Sequence, residues 1–136
     1  MQKMVSFLCS AAAAALPIVV DAQSATQYPT RPVRIVVPQS PGASTDTTAR
    51  LIAQKLSAAL GQTVIVDNRP GAGSVIGTEV VAKATPDGYT LLVVASSITL
   101  NPILHKNLSW DPVRDLAPIT QLSSFPNMLV VNLALP

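Results

Sequence analysis

From Val33 onward, short apolar runs alternate with longer stretches in which apolar residues recur every three or four positions. "VRIVVP", Val33 to Pro38, is β-branched apart from Arg34 and ends on proline, which reads as a buried strand. Ala49, Ile52, Ala53, Leu56 and Leu60 then fall on one helical face, with Arg50, Gln54, Lys55 and Ser57 elsewhere and Gly61 as the stop. "TVIVD", Thr63 to Asp67, predicts a second strand. "GAGSVIGTEVVAKA" opens on glycines and predicts a helix from about Ser74 to Ala84, closed by the turn "TPDGY" at Thr85 to Tyr89. "TLLVVAS", Thr90 to Ser96, is a third strand whose unbroken apolar run suits a strand covered on both faces. "SSITLNPIL" suggests a short helical turn, and "LAPITQLS" and "NMLVVNL" suggest two further strands joined by "SFPN".

The order is thus βαβαβ followed by more β. Such alternation predicts an α/β fold, an open and mostly parallel sheet with helices on both faces. The first residues stand apart from this scheme. "MQKMVSFLCSAAAAALPIVVDAQSA" carries Lys3, an apolar run from Val5 to Val20, and small residues flanking Asp21. That is the pattern of a secretory signal, with cleavage expected after Ala22 and residues 23–136 as the mature domain. The apolar run is short for a membrane span, which needs about 20 residues. Cys9, the one cysteine, falls inside this leader and too early for a lipid-attachment site, so the mature chain has no thiol or disulfide chemistry.

Charge adds little to the picture. The formal net charge is +2, and Lys3 and Asp21 cancel within the leader. No basic cluster or aromatic platform accompanies it, so no nucleic-acid partner is expected.

The chemistry must therefore come from the loops. In open α/β sheets, ligands sit outside the carboxyl ends of the strands. Three such ends can be located: Gln39 to Asp46, Asn68 to Ser74, and Ser96 to Asn101. All are built from Ser, Thr, Asn, Gln, Gly and Pro, apart from Ala43, Asp46, Arg69, Ala72, Ile98 and Leu100. None offers a histidine, a cysteine or a pair of carboxylates, so binding is favoured over bond-breaking. Two of the loops feed a helix N-terminus, where unpaired N–H groups and the helix dipole favour an anion. Gly42, Gly71 and Gly73 let the backbone approach a ligand, and Ser40, Ser44, Thr45, Ser74, Ser96 and Ser97 supply hydroxyls. A carboxylate or a phosphate fits such a site. Asp46 reads first as a charge or cap on the opening helical turn, able still to shape the rim of the pocket.

Other motifs carry less. "GAGSVIG", Gly71 to Gly77, follows a strand and precedes a helix, but Asn68, Arg69 and Pro70 intervene where a dinucleotide fingerprint wants glycine, and no acid ends the next strand. Arg69 is either a solvated loop charge or a long-range attraction for an anion. His105, the sole histidine, has no acidic or nucleophilic neighbour and reads as a surface residue; with no cysteine beside it there is no metal-ligand set and no cofactor is implied. Trp110 is expected to pack under its loop, with Asp111 and Asp115 as turn and cap residues around Pro112.

Taken together, "YPTRPVRIVVPQSPGASTDTTARLIAQKLSAALGQTVIVDNRPGAGSVIGTEVVAKATPDGYTLLV" and "NPILHKNLSWDPVRDLAPITQL" resemble the amino-terminal part of the tripartite tricarboxylate transporter receptors, the Bug receptors. The resemblance covers nearly everything after the leader. It implies a type II periplasmic binding-protein fold, capture of a small organic acid, and delivery to a permease with one small and one large integral subunit. It also implies that Pro38 to Asp46, Asn68 to Ser74 and Ser96 to Asn101 are the ligand loops, with Gln39, Ser40, Gly42, Ala43, Ser44, Thr45, Asp46, Gly73, Ser74, Ser96, Ser97 and Asn101 as the contact residues. Relatives usually carry an aromatic at position 39 and glycine at positions 43 and 74. Here these are Gln39, Ala43 and Ser74. The family runs to about twice the mature span, so the expectation is a truncated first lobe, acting as a monomer, with weak ligand binding on its own and apolar surface left exposed. The alternatives are a non-functional remnant of such a receptor and an α/β enzyme that binds a phosphorylated ligand.

Overall fold

The structure, a computed structural model, describes residues 28–126 and 128–134. The expected leader, residues 1–22 with Cys9, lies outside the described residues.

Three parallel strands form the sheet: β1 (Val33–Val37), β2 (Val64–Asn68) and β3 (Thr90–Leu92), in the order β2-β1-β3. Val33 pairs with Val64 and Val37 with Asn68 on one side, and Arg34 to Val36 pair with Thr90 to Leu92 on the other. Helix α1 (Ser44–Leu60) connects β1 to β2, and a 3-10 turn at Ala72–Ser74 followed by α2 (Val75–Ala82) connects β2 to β3. The chain steps outward from β1 and then back across it. Right-handed crossovers therefore place α1 and α2 on opposite faces of the sheet.

The core records this division. Val33, Ile35 and Val37 point from β1 to one face and join Ala49, Ala53 and Val64 in the buried cluster, with Leu56 and Val66 packed against it. The small side chains of Ala49 and Ala53 let α1 lie close to the strand. Val36 is also fully buried but points the other way, toward the face that α2 covers through the buried Gly77 and Thr78. Gly61 ends α1 in the left-handed conformation (φ 64°), its N–H donating to the Ser57 carbonyl at 3.1 Å.

The strand expected over Thr90 to Ser96 is shorter. The Val93 N–H still donates to the Val36 carbonyl at 3.0 Å, but the partner strand then reaches Pro38, which has no N–H to offer another rung. The residues of β3 are only half-buried, since no described strand pairs with its outer edge. The short turn expected after it is a helix of two turns, α3 (Ser97–Leu104). The two further strands do not form among the described residues. Pro118 interrupts the first run, and the second, around Met128 to Leu133, has no described neighbour to supply a ladder. Their apolar side chains are left in solvent, Leu129 being 93 % exposed.

Candidate functional site

Parallel pairing sends all three strands out at one edge of the sheet, so Gly42, Gly73 and Ser97 leave that same edge. Each strand is followed there by a helix, and each helix begins without a side-chain cap: on Ala43 for α1, Ser74 for α2 and Ser96 for α3. First-turn N–H groups have no partner within a helix. Those of three helices are gathered on one edge without a capping side chain, although carbonyls of the preceding turn accept from the N–H groups of Val75 in α2 and of Ile98 and Thr99 in α3.

The first loop is shaped by a buried carboxylate. Gly42 adopts φ 84°, open to glycine and costly for other residues, and its N–H donates to Asp46 Oδ2 at 2.8 Å. Arg50 Nε donates to the same oxygen at 3.0 Å, and Asn68 Nδ2 donates to Asp46 Oδ1 at 2.9 Å. Asp46 is only 2 % exposed. Hydrogen bonds from Arg50, Gly42 and Asn68, in that order of weight, outweigh burial and lower its pKa from 3.8 to about 2. Its reading as a first-turn charge holds, in the form of a side chain reaching back to the entering loop. The carboxylate is engaged with the protein's own donors.

The second loop has an unusual backbone. Gly71, Ala72, Gly73 and Ser74 have φ of 138°, 46°, 62° and 81° in succession. Ser74 is buried, and its carbonyl accepts the Thr78 hydroxyl at 2.8 Å. Position 74 is thus one where glycine is the unstrained residue. The third loop is tied to the second by Asn101. Its side chain is 3 % exposed and donates through Nδ2 to the Gly73 carbonyl at 3.0 Å. Ser97 Oγ is shielded from solvent and has no partner among the described residues.

Ser44 and Thr45 at the start of α1 and Ser96 beyond β3 line a groove of about 910 Å³, walled by Leu91, Val93 and Ile98 and by the 115–125 segment. The groove follows β3 along its unpaired outer edge, between Val81 and Ala84 at the end of α2 and the 115–125 segment. Only its Ser44, Thr45 and Ser96 end reaches the edge where the strands stop, the edge at which open α/β sheets hold ligands. Of the other site residues, Ser40, Gly42 and Gly73 are exposed, Gln39, Ala43 and Ser97 are half-buried, and Asp46, Ser74 and Asn101 are buried; none of these lines the groove. A second depression, of about 620 Å³, lies among Tyr28, Pro29 and Ala59 to Gln62, near where β1 begins and α1 ends.

The cations near the loops are compensated. Arg69 Nε lies 3.0 Å from Asp67 Oδ2, so it is not a free loop charge, and Arg34 pairs with the same carboxylate. Burial raises the Asp67 pKa, but hydrogen bonds from Arg34 and Arg69 lower it further, for a net decrease. His105 is exposed at the end of α3. Trp110 is buried, as its sequence context suggested, with its indole N–H unpartnered among the described residues. Asp111 Oδ1 accepts from the N–H groups of Val113 and Arg114 at 2.8 and 3.0 Å, and Asp115 accepts from the Asp111 N–H at 2.8 Å, as expected for a turn and its cap.

The residue that sequence reasoning passed over is Asn68. Its side chain donates to the Gln39 carbonyl at 3.1 Å as well as to Asp46, and its Oδ1 accepts from Arg50 at 3.0 Å. An amide ending a strand, with a carboxylate in the preceding helix, was the available signal. No helix among the described residues is long and apolar enough to cross a membrane, and no group of three potential metal ligands occurs among them.

Comparison with known proteins accords with this geometry. Residues 48–136 match the family described as "Tripartite tricarboxylate transporter family receptor". Protein BugT of Bordetella pertussis is 44% identical over 111 residues, 80% of this chain and 34% of that protein. The periplasmic binding protein BugD superposes with a TM-score of 0.62 at 44% identity, over 65% of this chain and 29% of that one. Rpa4515 of R. palustris with adipate gives 0.60 at 40% identity, over 63% and 29%. MatC (Rpa3494) from Rhodopseudomonas palustris with bound malate gives 0.59 at 36%, over 65% and 30%. The chain spans about a third of the length of the curated relatives it matches. By sequence and by fold, the chain belongs to the family of tripartite tricarboxylate transporter receptors.

Proposed function

We propose that this chain forms one wall of the cleft of a periplasmic receptor that captures a small organic acid with two carboxylates and passes it to the integral permease of a tripartite transporter. Residues 1–22 act as a cleaved export signal in this reading, and residues 23–136 belong to the receptor's first lobe. The observation that carries it is the gathering of three helix starts without side-chain caps on one sheet edge, with Ser44, Thr45 and Ser96 at the end of a groove that runs along β3. Relatives with adipate and with malate, at 40% and 36% identity, support the choice of a dicarboxylate.

The chemistry of the wall is capture. The N–H groups of Ser44 and Thr45, the hydroxyls of Ser40, Ser44, Thr45 and Ser96, and the backbone at Gly73 present donors without net charge. The buried members of the set, Asp46, Ser74 and Asn101, hold those donors in place. The carboxylate of Asp46 carries three protein donors and is not available as a base.

A single wall buries only part of a ligand, so affinity in the millimolar range is expected, about −4 kcal/mol at 1 mM. Titrating the isotope-labelled chain with malate or adipate should shift amide resonances of residues 39–46, 68–74 and 96–101, while a nucleotide should not. Absence of any shift at roughly tenfold above that range (about 10 mM), or shifts with nucleotide alone, would refute the reading.

A further inference from the structure

We infer that Asn68 is the positioning residue of the first ligand loop, an assignment that rests on the carboxylate-receptor reading above. The loop from Gln39 to Gly42 is gripped at both ends. At one end the Gln39 carbonyl accepts from Asn68 Nδ2 at 3.1 Å; at the other the Gly42 N–H donates to Asp46 Oδ2 at 2.8 Å. The second grip is itself fixed by Asn68, whose other Nδ2 hydrogen reaches Asp46 Oδ1 at 2.9 Å. Arg50 closes the circuit, donating to Asn68 Oδ1 and to Asp46 Oδ2, each at 3.0 Å.

Only a carboxamide of this length satisfies the set. Asn68 faces two acceptors, a carbonyl and a carboxylate, with its two N–H bonds, and one donor with its oxygen. Aspartate, its isostere, would turn an oxygen toward both acceptors. The residue sits at the last position of β2, where its backbone pairs with Val37, so the platform beneath the loop is the sheet itself. Held this way, Gln39 and Gly42 turn their polar backbone groups inward, which leaves the hydroxyl of Ser40 and the first-turn groups of Ser44 and Thr45 to face a ligand.

The test uses Asn68→Asp, Asp46→Asn and the double exchange D46N/N68D in this chain. Each single change sets like against like, O against O or NH₂ against NH₂. The double exchange restores a donor–acceptor pair between positions 46 and 68 and keeps an acceptor for Gly42, while an oxygen of the new carboxylate at position 68 still faces the Gln39 carbonyl, so the recovery is read at the Gly42 end of the loop. Hydrogen exchange by NMR should show the Gly42 amide at least tenfold faster in either single variant, after scaling to the Ile35 amide in β1, and returned to within about threefold of the parent in the double variant. A purely structural role would raise Gly42 and Ile35 together, and that result overturns the assignment, as does failure of the double variant to restore Gly42. Should Asn68→Asp fail to fold, Asp46→Asn and the double variant make the same comparison. Repeating the exchange with excess malate separates the two readings. Protection added at Ser44 and Thr45 in the parent and lost in Asn68→Asp supports both. Protection retained in Asn68→Asp overturns the positioning role. No protection in the parent counts against the receptor reading, and the ligand-free rates then decide the latch alone.

Discussion

Replacing Gly77 with alanine is a sharp test of how α2 seats the first and second loops, because two physical effects predict opposite signs. Gly77 is buried within α2. A Cβ at this position would stand 2.6 Å from the Arg69 carbonyl oxygen, 2.6 Å from Pro38 Cβ and 2.8 Å from Pro38 Cα. Two of these atoms are backbone and the third belongs to a rigid ring, so no flexible side chain can give way. Comfortable carbon contacts lie near 3.5–4.0 Å, so α2 must retreat by about 1 Å. Overpacking of this kind costs about 1–3 kcal/mol, and the rigidity of the neighbours argues for the upper half of that range. Helix propensity acts the other way, favouring alanine over glycine by about 0.8–1.0 kcal/mol. The balance is a net loss of about 1–2 kcal/mol. Urea unfolding followed by circular dichroism should show the midpoint falling by roughly 0.5–1 M at an m-value near 2 kcal/mol/M. Pro38 opens the first loop and Arg69 lies in the second, so amide shifts in the folded variant should centre on residues 38–42 and 69–74. A midpoint unchanged or raised would mean that propensity dominates and that the contact does not hold α2 in place.

Ser74→Gly should act in the stabilising direction, by about 0.5–1 kcal/mol, because φ 81° costs a non-glycine residue about 1–2 kcal/mol and glycine's extra chain entropy returns only part of it; a lower melting temperature would contradict this. Ile35→Val, at a side chain 1 % exposed in the centre of the sheet, should cost about 1 kcal/mol in the same unfolding assay. Acid should also weaken the fold. Asp46 and Asp115 both have pKa values lowered from 3.8 to about 2, so the stability they add is present above about pH 4 and is lost as the pH falls from there toward 2. Asp46→Asn should flatten the slope of stability against pH in that window, leaving the shares due to Asp115 and to Asp67, Glu79 and Asp111, whose pKa values are also lowered; an unchanged slope would show that Asp46 is not held ionised by Arg50, Gly42 and Asn68.

The pattern of apolar residues made the three strands, the two connecting helices and the sheet edge that carries the loops legible, because each depends on local periodicity or on the rule that links parallel strands through helices. The buried face of α1 through Ala49 and Ala53 follows from spacing alone. What remained hidden depends on partners far along the chain. The end of β3 was set by Pro38, more than fifty residues earlier, and the runs after Pro118 have strand composition without a strand to pair with. In the "GAGSVIG" segment the glycines are accounted for by left-handed backbone at Gly71 and Gly73 and by close packing at Gly77, which no short motif specifies. Asn68 escaped notice for the same reason, since its three partners are 18, 22 and 29 residues away.

The three loops also differ in what they can offer an anion. A helix N-terminus carries about half a positive charge, and at α1 the Asp46 carboxylate already sits within the first turn. Arg50, the cation nearest that turn, is paired with the same group. Arg50 thus offsets Asp46, and the first loop keeps the partial charge of its helix start and adds shape and hydroxyls. No acidic residue occupies the first turn of α2 or α3, so their N-termini keep their polarity. With Arg69 neutralised by Asp67, the positive character of this edge comes from fixed peptide dipoles at the three helix starts, the second and third loops being joined by the Asn101 bond to the Gly73 carbonyl. Dipoles held in place need no reorganisation when a carboxylate arrives, and they attract it without a counter-charge that would hold the ligand against release. Under the receptor function proposed above, fixed dipoles of this kind would favour reversible capture, with hydroxyls and loop shape left to choose among acids of equal charge.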